Sequence, residues 1–157
     1  ALDTVRMPAD AKDIDLVGSG AEGVTVMGDE GLLGTALRNL VSNAVAYSSK
    51  NTRVAVSVGV SPSSVDISVA DQGIGIPQQD LERIFERFYR VDAARSRATG
   101  GTGLGLAIVK HIMTHHRGEV TVWSKEGSGS TFTLRLPRPE TGGYDAPRNT
   151  DRQEAAQ

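Results

Sequence analysis

Apolar positions change period several times along the chain, and each change marks an element. Residues 29–47 place Leu32, Leu33, Ala36, Leu37, Leu40, Val41, Ala44 and Val45 in two adjoining i, i+4 rows. That spacing predicts a helix beginning at Asp29 or Glu30 with one broad buried face. Residues 52–60 alternate instead, with Val54, Val56, Val58 and Val60 on one side. Val65, Ile67 and Val69 repeat the alternation after Ser61-Pro62-Ser63-Ser64, predicting a β-hairpin. Pro77 is placed to open a short helix to about Phe88, with Leu81, Ile84, Phe85 and Phe88 as its apolar positions. A second long helix is predicted over 104–116, with Gly118 as its terminator. A second hairpin joins 119–124 to 131–136 across Lys125-Glu126-Gly127-Ser128-Gly129, and short strands are expected at 13–17 and 24–27.

Strand pairs alternating with helices, each strand apolar on a single face, predict one sheet covered by helices on one side: a two-layer α/β sandwich. Residues 89–102 carry arginines and glycines with little apolar matter and read as a mobile loop. Residues 1–13 read as a poorly ordered entry, and 138–157 lack periodicity and read as a disordered tail.

The bulk numbers narrow the options. At 157 residues the chain is one domain with room for a core. Its net charge of −2 and pI of about 5.9 give no basic field to attract nucleic acid or an anionic membrane. The absence of cysteine excludes disulfides, thiolate metal sites and cysteine nucleophiles. No run approaches the roughly 20 apolar residues that span a bilayer, and no signal peptide is visible. The chain starts at Ala1 without Met, and we expect it to be an excised piece of something longer.

Three polar constellations carry candidate chemistry. Gly100-Gly101-Thr102-Gly103-Leu104-Gly105-Leu106 crowds glycines ahead of a helix, where unpaired N–H groups and the helix dipole favour phosphate; a plain turn is the alternative. Thr35, Asn39, Asn43 and Tyr47 stack four apart beside the buried face of the first helix. Two amides one turn apart offer neutral hard oxygens to Mg²⁺, and the tyrosine ring suits a base; a solvated face carrying amides is the alternative. Asp71 shares the parity of Val65, Ile67 and Val69 and so points inward, followed by Gly73 and Gly75. Such an acid accepting from an exocyclic amine suits adenine, while an Asp-x-Gly turn closing a strand is the alternative.

In order and spacing, Asn39-Leu40-Val41-Ser42-Asn43-Ala44, Asp71-Gln72-Gly73-Ile74-Gly75-Ile76 and Gly101-Thr102-Gly103-Leu104-Gly105-Leu106 resemble the ATP-binding domain of sensor histidine kinases. That domain belongs to the GHKL group, with type II topoisomerase, MutL and heat-shock chaperone ATPases. Ile84-Phe85-Glu86-Arg87-Phe88-Tyr89-Arg90-Val91-Asp92 resembles the phenylalanine box peculiar to the kinases, and Gly129-Ser130-Thr131-Phe132-Thr133-Leu134 with Pro137 resembles their closing strand. The resemblance covers about residues 14–137, and residues 109–136 are most similar to actinobacterial phosphate-responsive sensor kinases.

This resemblance implies the Bergerat ATP-binding fold: a mixed, mostly antiparallel sheet of about five strands covered on one face by about three helices. It implies ATP and Mg²⁺ as ligands. Asn43 would hold the metal, with Asn39 in the phosphate and metal neighbourhood. Tyr47 would lie against the nucleotide, Asp71 would take the adenine amino hydrogen, and Gly73, Gly75 and Ile76 would shape that pocket. Arg90 would reach the γ-phosphate. Gly101, Thr102, Gly103, Leu104, Gly105 and Leu106 would cover the phosphates, and Thr131 joins the nucleotide-binding set. The 89–102 loop matches the ATP lid, with Arg95 and Arg97 as further phosphate contacts. Family members often carry Lys or Arg where this chain has Ala46, so either lid arginines compensate or ATP binds more weakly.

Phosphoryl transfer needs an aligned nucleophile, metal on the β/γ oxygens and cations for developing charge. The related ATPases carry Glu where Asn39 stands, and an amide takes no proton from water, so slow hydrolysis is expected. In the family the acceptor is a histidine on a separate dimerising hairpin with a His-Glu sequence, a pair this chain lacks. His111, His115 and His116 read as surface histidines near a helix end. The expected whole is a sensor kinase anchored in the cell membrane, with this cytoplasmic domain monomeric when isolated and unable to autophosphorylate alone. Its expected partners are the dimerisation and phosphotransfer domain and a response regulator receiver, with no nucleic acid and no direct membrane contact. The alternatives are a nucleotide-binding pseudokinase or docking module, an anti-sigma-type serine kinase, which the phenylalanine box and long lid argue against, and a GHKL ATPase, disfavoured by Asn39.

Overall fold

The computed structural model describes residues 9–10, 12–90 and 104–138. In chain order the elements are β1 (Asp15–Gly20), α1 (Glu30–Ala46), β2 (Arg53–Val60), β3 (Ser64–Ala70), a 3₁₀ turn (Gln78–Asp80), α2 (Gly105–His115), β4 (Glu119–Lys125) and β5 (Gly129–Pro137). The strands form one five-stranded sheet ordered β1-β2-β3-β5-β4, in which only the β1–β2 pair is parallel. The inward residues Val54, Val56, Val69, Phe132, Leu134 and Leu136 of the sheet meet Ala36, Leu40, Val41, Ala44 and Val45 of α1 and Val109, Ile112 and Met113 of α2 in the core. Helices cover one face of a mixed sheet, as the period changes require.

Local chemistry sets the ends of both helices. Asp29 caps α1, its carboxylate accepting the Leu32 N–H at 2.9 Å. The Asp29 N–H in turn donates to His116 Nε2 at 2.9 Å, tying the start of α1 to the end of α2. At the C-terminus of α2, Gly118 N–H donates to Met113 O (2.8 Å) and Arg117 N–H to Thr114 O (3.1 Å), the Schellman pattern. Arg117, with φ 61°, takes the left-handed position in that motif. Gly118 is needed for closeness instead: a methyl there would fall 2.3 Å from Arg135 O.

Three expectations are corrected. The expected third helix, to about Phe88, is a 3₁₀ turn over Gln78–Asp80 followed by further i→i+3 turns, Arg83 N–H to Asp80 O and Glu86 N–H to Arg83 O. Phe88 has φ 64° and is 68% exposed, whereas Ile84 is buried and Phe85 meets Phe132 edge-on at 6.2 Å. The Tyr89 hydroxyl, donating to the Asp80 carboxylate, closes the segment, and the Arg83 guanidinium lies 4.5 Å from the Tyr89 ring centre. The expected strand at 24–27 does not form, because after Ala21 N–H donates to Val58 O the chain leaves the sheet edge to reach the Asp29 cap. The strand expected at 13–17 lies instead over Asp15–Gly20, since Asp13 has a left-handed φ of 56°.

Phe132 joins the two layers and the segment after the 3₁₀ turn. Phe132→Ala is expected to cost about 3–5 kcal/mol, read from chemical denaturation; a loss below about 1 kcal/mol would show that the Phe85 contact and the core beneath it are loosely packed.

Candidate active site

Asp71 leaves the end of β3 on the helix-covered side of the sheet. Its Oδ1 accepts the Gly73 N–H at 2.9 Å and the Ser130 N–H at 3.2 Å. Both bonds end on Oδ1, so Oδ2 receives no hydrogen bond from the described residues. Burial pushes the Asp71 carboxyl above the usual carboxylate range, against the opposing pull of the Gly73 and Ser130 amides. A carboxylate oxygen held in place and lacking a donor is a ready acceptor for an amine.

The turn after Asp71 is compressed from two sides. A methyl on Gly73 would lie 2.5 Å from Tyr47 O, at the end of α1. On the other side, Gly75 has φ 73° and a methyl there would lie 2.3 Å from Lys125 O, while one on Gly129 would lie 2.1 Å from Asp71 O. The Ile76 N–H donates to Ser124 Oγ at 2.8 Å, and the Gly127 N–H to Ile74 O at 2.7 Å, stitching the turn to the β4–β5 hairpin.

On α1, Asn39, Asn43 and Tyr47 are all half-buried along one stripe. Asn39 Nδ2 donates to Gly105 O at 3.3 Å, so the amide row abuts the start of α2. Leu104 occupies the N-cap position there, and its carbonyl accepts the Ile108 N–H at 2.9 Å. A methyl on Gly105 meets nothing within 4 Å among the described residues, so described packing does not demand glycine there. Along α1, then, Asn39 meets the start of α2 at Gly105, and the Tyr47 carbonyl at the other end of the same stripe meets the Gly73 turn. Arg90 is half-buried beside the phenylalanine-box segment. Gly101, Thr102 and Gly103, with Arg95, Arg97 and most of the 89–102 loop, lie outside the described residues.

Thr131 is not with the others. It pairs with Ala70 and Trp123, on the sheet face away from the helices, because alternation sends it opposite to Ser130 and Phe132. Ser130 is the residue that sequence reasoning passed over. It is buried, it donates to Asp71, and its hydroxyl shares a 2.8 Å hydrogen bond with Ser124 Oγ. A polar residue heading the inward row Phe132, Leu134 and Leu136 was the available signal.

The donor set fits a magnesium ion that arrives with phosphates. Among the described residues no group of three or more His, Cys, Asp or Glu is arranged to hold a metal. With Asn39 Nδ2 given to Gly105, the Asn39 carbonyl oxygen and the Asn43 amide oxygen are the neutral hard donors that would hold such an ion, with the charge supplied by substrate.

Comparison with known proteins decides the family. A family model described as histidine kinase-, DNA gyrase B-, and HSP90-like ATPase matches residues 28–140. The chain belongs to this ATPase family. Within the family it is of the sensor-histidine-kinase kind. It is 49% identical over 154 residues to the sensor-like histidine kinase SenX3 of Mycolicibacterium smegmatis, covering 98% of this chain and 40% of that protein. The chain thus spans about two fifths of that relative's length. Its fold superposes on the mycobacterial sensor histidine kinase MprB with a TM-score of 0.75 at 33% identity, covering 88% of this chain and 91% of that one. Full-length ShkA in complex with AMPPNP gives a TM-score of 0.75 at 30% identity, covering 88% of this chain and 28% of that one. The expected resemblance to actinobacterial kinases agrees with the SenX3 match.

The raised Asp71 carboxyl has a signed consequence for stability. A group held protonated more readily in the folded chain stabilises it fully below the ordinary carboxyl pKa, and that contribution is lost as pH rises through the raised value. Asp71→Asn keeps an oxygen for the Gly73 and Ser130 amides and removes the half-buried charge. At pH 7 the nucleotide-free variant is therefore expected to be at least as stable as the wild type in thermal unfolding, with a flatter pH profile between 4 and 7. A clearly lower midpoint at pH 7 would mean that the carboxylate is a structural anion.

Proposed function

We propose that this domain binds Mg-ATP along α1, between the Asp71 turn and the start of α2, and hands the γ-phosphoryl to a histidine on another domain. The observation that carries the reading is the half-buried Asp71 carboxylate, with Oδ1 held by two backbone donors and Oδ2 left to accept from a purine amine. Binding of AMPPNP by the similar ShkA supports an adenine nucleotide as the ligand. Asn43 and Asn39 offer their amide oxygens toward the metal, and Tyr47 lies against the base. The backbone donors at the start of α2 and the glycines before it receive the phosphates. Arg90 balances the charge that develops on the γ-phosphoryl oxygens. When bound, Mg²⁺ supplies charge neutralisation on the β- and γ-oxygens.

Asn39 favours transfer over hydrolysis. An amide that donates to Gly105 O accepts no proton from water, so it leaves the phosphoryl for a stronger nucleophile. In transfer the bond from phosphorus to the β–γ bridging oxygen breaks, a phosphorus–nitrogen bond to the acceptor imidazole forms, and ADP leaves. In the longer protein the partners are the dimerising phosphotransfer domain and a response regulator. No helix among the described residues is long and apolar enough to cross a membrane, and a membrane anchor in this reading belongs to other parts of the kinase.

Calorimetry with Mg-ATP tests the proposal. Asp71→Asn turns Oδ2 into a second donor facing the purine amine and is expected to weaken binding by about 10- to 100-fold, the effect of about 1.5–3 kcal/mol for a charged hydrogen bond. Equal affinity in wild type and variant would remove the adenine assignment.

A further inference from the structure

The C-terminal turn of α1 has no basic residue of its own. Its last carbonyls lack a continuing helix to pair them: the Tyr47 N–H reaches Asn43 O at 3.0 Å and the Ser48 N–H reaches Val45 O at a long 3.4 Å, and the negative end of the dipole lies there. The cation that answers them comes from the other side of β1. Lys12 Nζ donates to Val45 O at 3.0 Å, Ala46 O at 2.8 Å and Ser48 O at 3.0 Å, which engages all three of its N–H groups. Two of those carbonyls flank Tyr47 in sequence, and the carbonyl between them, that of Tyr47, is the one against which Gly73 is packed.

Lys12 is itself well held. Its N–H donates to Ala9 O at 3.1 Å and its carbonyl accepts the Asn51 N–H at 3.2 Å, between the buried anchors Ala9 and Ile14. The Asp15 N–H then donates to Thr52 O at 2.9 Å, so the N-terminal segment and the loop after α1 are joined on both sides of the lysine's reach. The ammonium thus fixes the peptide units on which the ring of Tyr47 and the position of the Gly73 turn depend.

We propose that Lys12 is a positioning residue for nucleotide binding: it fastens the last turn of α1 so that Tyr47 and the Asp71–Gly73 turn together form the adenine wall. The proposal rests on the Mg-ATP reading above and adds to it a residue far from the three sequence motifs. Lys12 acts through Tyr47 and Gly73, at the base end of the nucleotide. Its loss therefore weakens adenosine and Mg-ATP alike, whereas a lysine that touched phosphate would matter for Mg-ATP only.

The test is calorimetric titration of the 157-residue chain with Mg-ATP and, separately, adenosine, for wild type, Lys12→Met and Lys12→Arg, with thermal unfolding of each without nucleotide. Arg135→Ala, on the far face of the sheet, controls for general destabilisation and keeps wild-type affinity. Lys12→Met is expected to lose about tenfold, or 1.4 kcal/mol, toward both ligands, and Lys12→Arg to return to within about threefold of wild type. Should Lys12→Met fail to fold, Lys12→Gln is titrated with the same expectation. Wild-type affinity in a folded Lys12→Met or Lys12→Gln overturns the assignment, as does a loss confined to Mg-ATP. A wild-type chain that binds neither ligand overturns the nucleotide reading and this proposal together, and so is distinguishable from failure of Lys12 alone.

Discussion

The site depends on one tightly confined turn. Residues 71–75 pass between the carbonyl end of α1 and the β4–β5 hairpin with no room for a β-carbon at Gly73 or Gly75, and none at Gly129 on the hairpin side. Within that confinement two backbone amides fix one oxygen of Asp71. The second oxygen has no partner among the described residues. The glycines allow the approach, and the approach aims the carboxylate. Close packing of backbone on backbone leaves such a turn few alternatives, which suits a group that must read one edge of a flat ligand.

The rest of the cleft follows the same economy of charge. The α1 stripe supplies neutral amides in place of carboxylates, and the described residues contain no acidic cage. A divalent cation held by two amides alone is weakly held, so metal and triphosphate are expected to enter together, each completing the other's site. The link from Asn39 to the Gly105 carbonyl joins α1 to the start of α2. At the far ends the Asp29–His116 bond ties the start of α1 to the end of α2, and the Lys12 bonds tie the end of α1 to the N-terminal segment.

Much of this was legible in the sequence because it is written in periodicity. The two i, i+4 rows of α1, the alternation of β2 and β3 and the inward parity of Asp71 each follow from one residue's spacing to the next. What was not legible depended on distance. Lys12 looks like an ordinary charge in a polar entry segment, and only the fold brings its ammonium to carbonyls more than thirty residues away. The segment after Pro77 has helical spacing, yet it becomes a chain of i→i+3 turns: Ile84, Phe85 and Tyr89 find the core while Phe88 turns outward. Thr131 was drawn into the nucleotide set by its motif, although the alternation of its own strand sends it to the far face. Ser130, one position earlier, carried the inward parity.

The central claim is that Asp71, the amide row of α1 and the start of α2 share one nucleotide. A crystal structure of the chain with Mg-AMPPNP tests it most directly. The purine amino nitrogen is expected at hydrogen-bond distance from Asp71 Oδ2, with the metal and phosphates between Asn39, Asn43 and the first turn of α2. A nucleotide whose purine lies away from Asp71, or whose phosphates avoid the amide row, would contradict it.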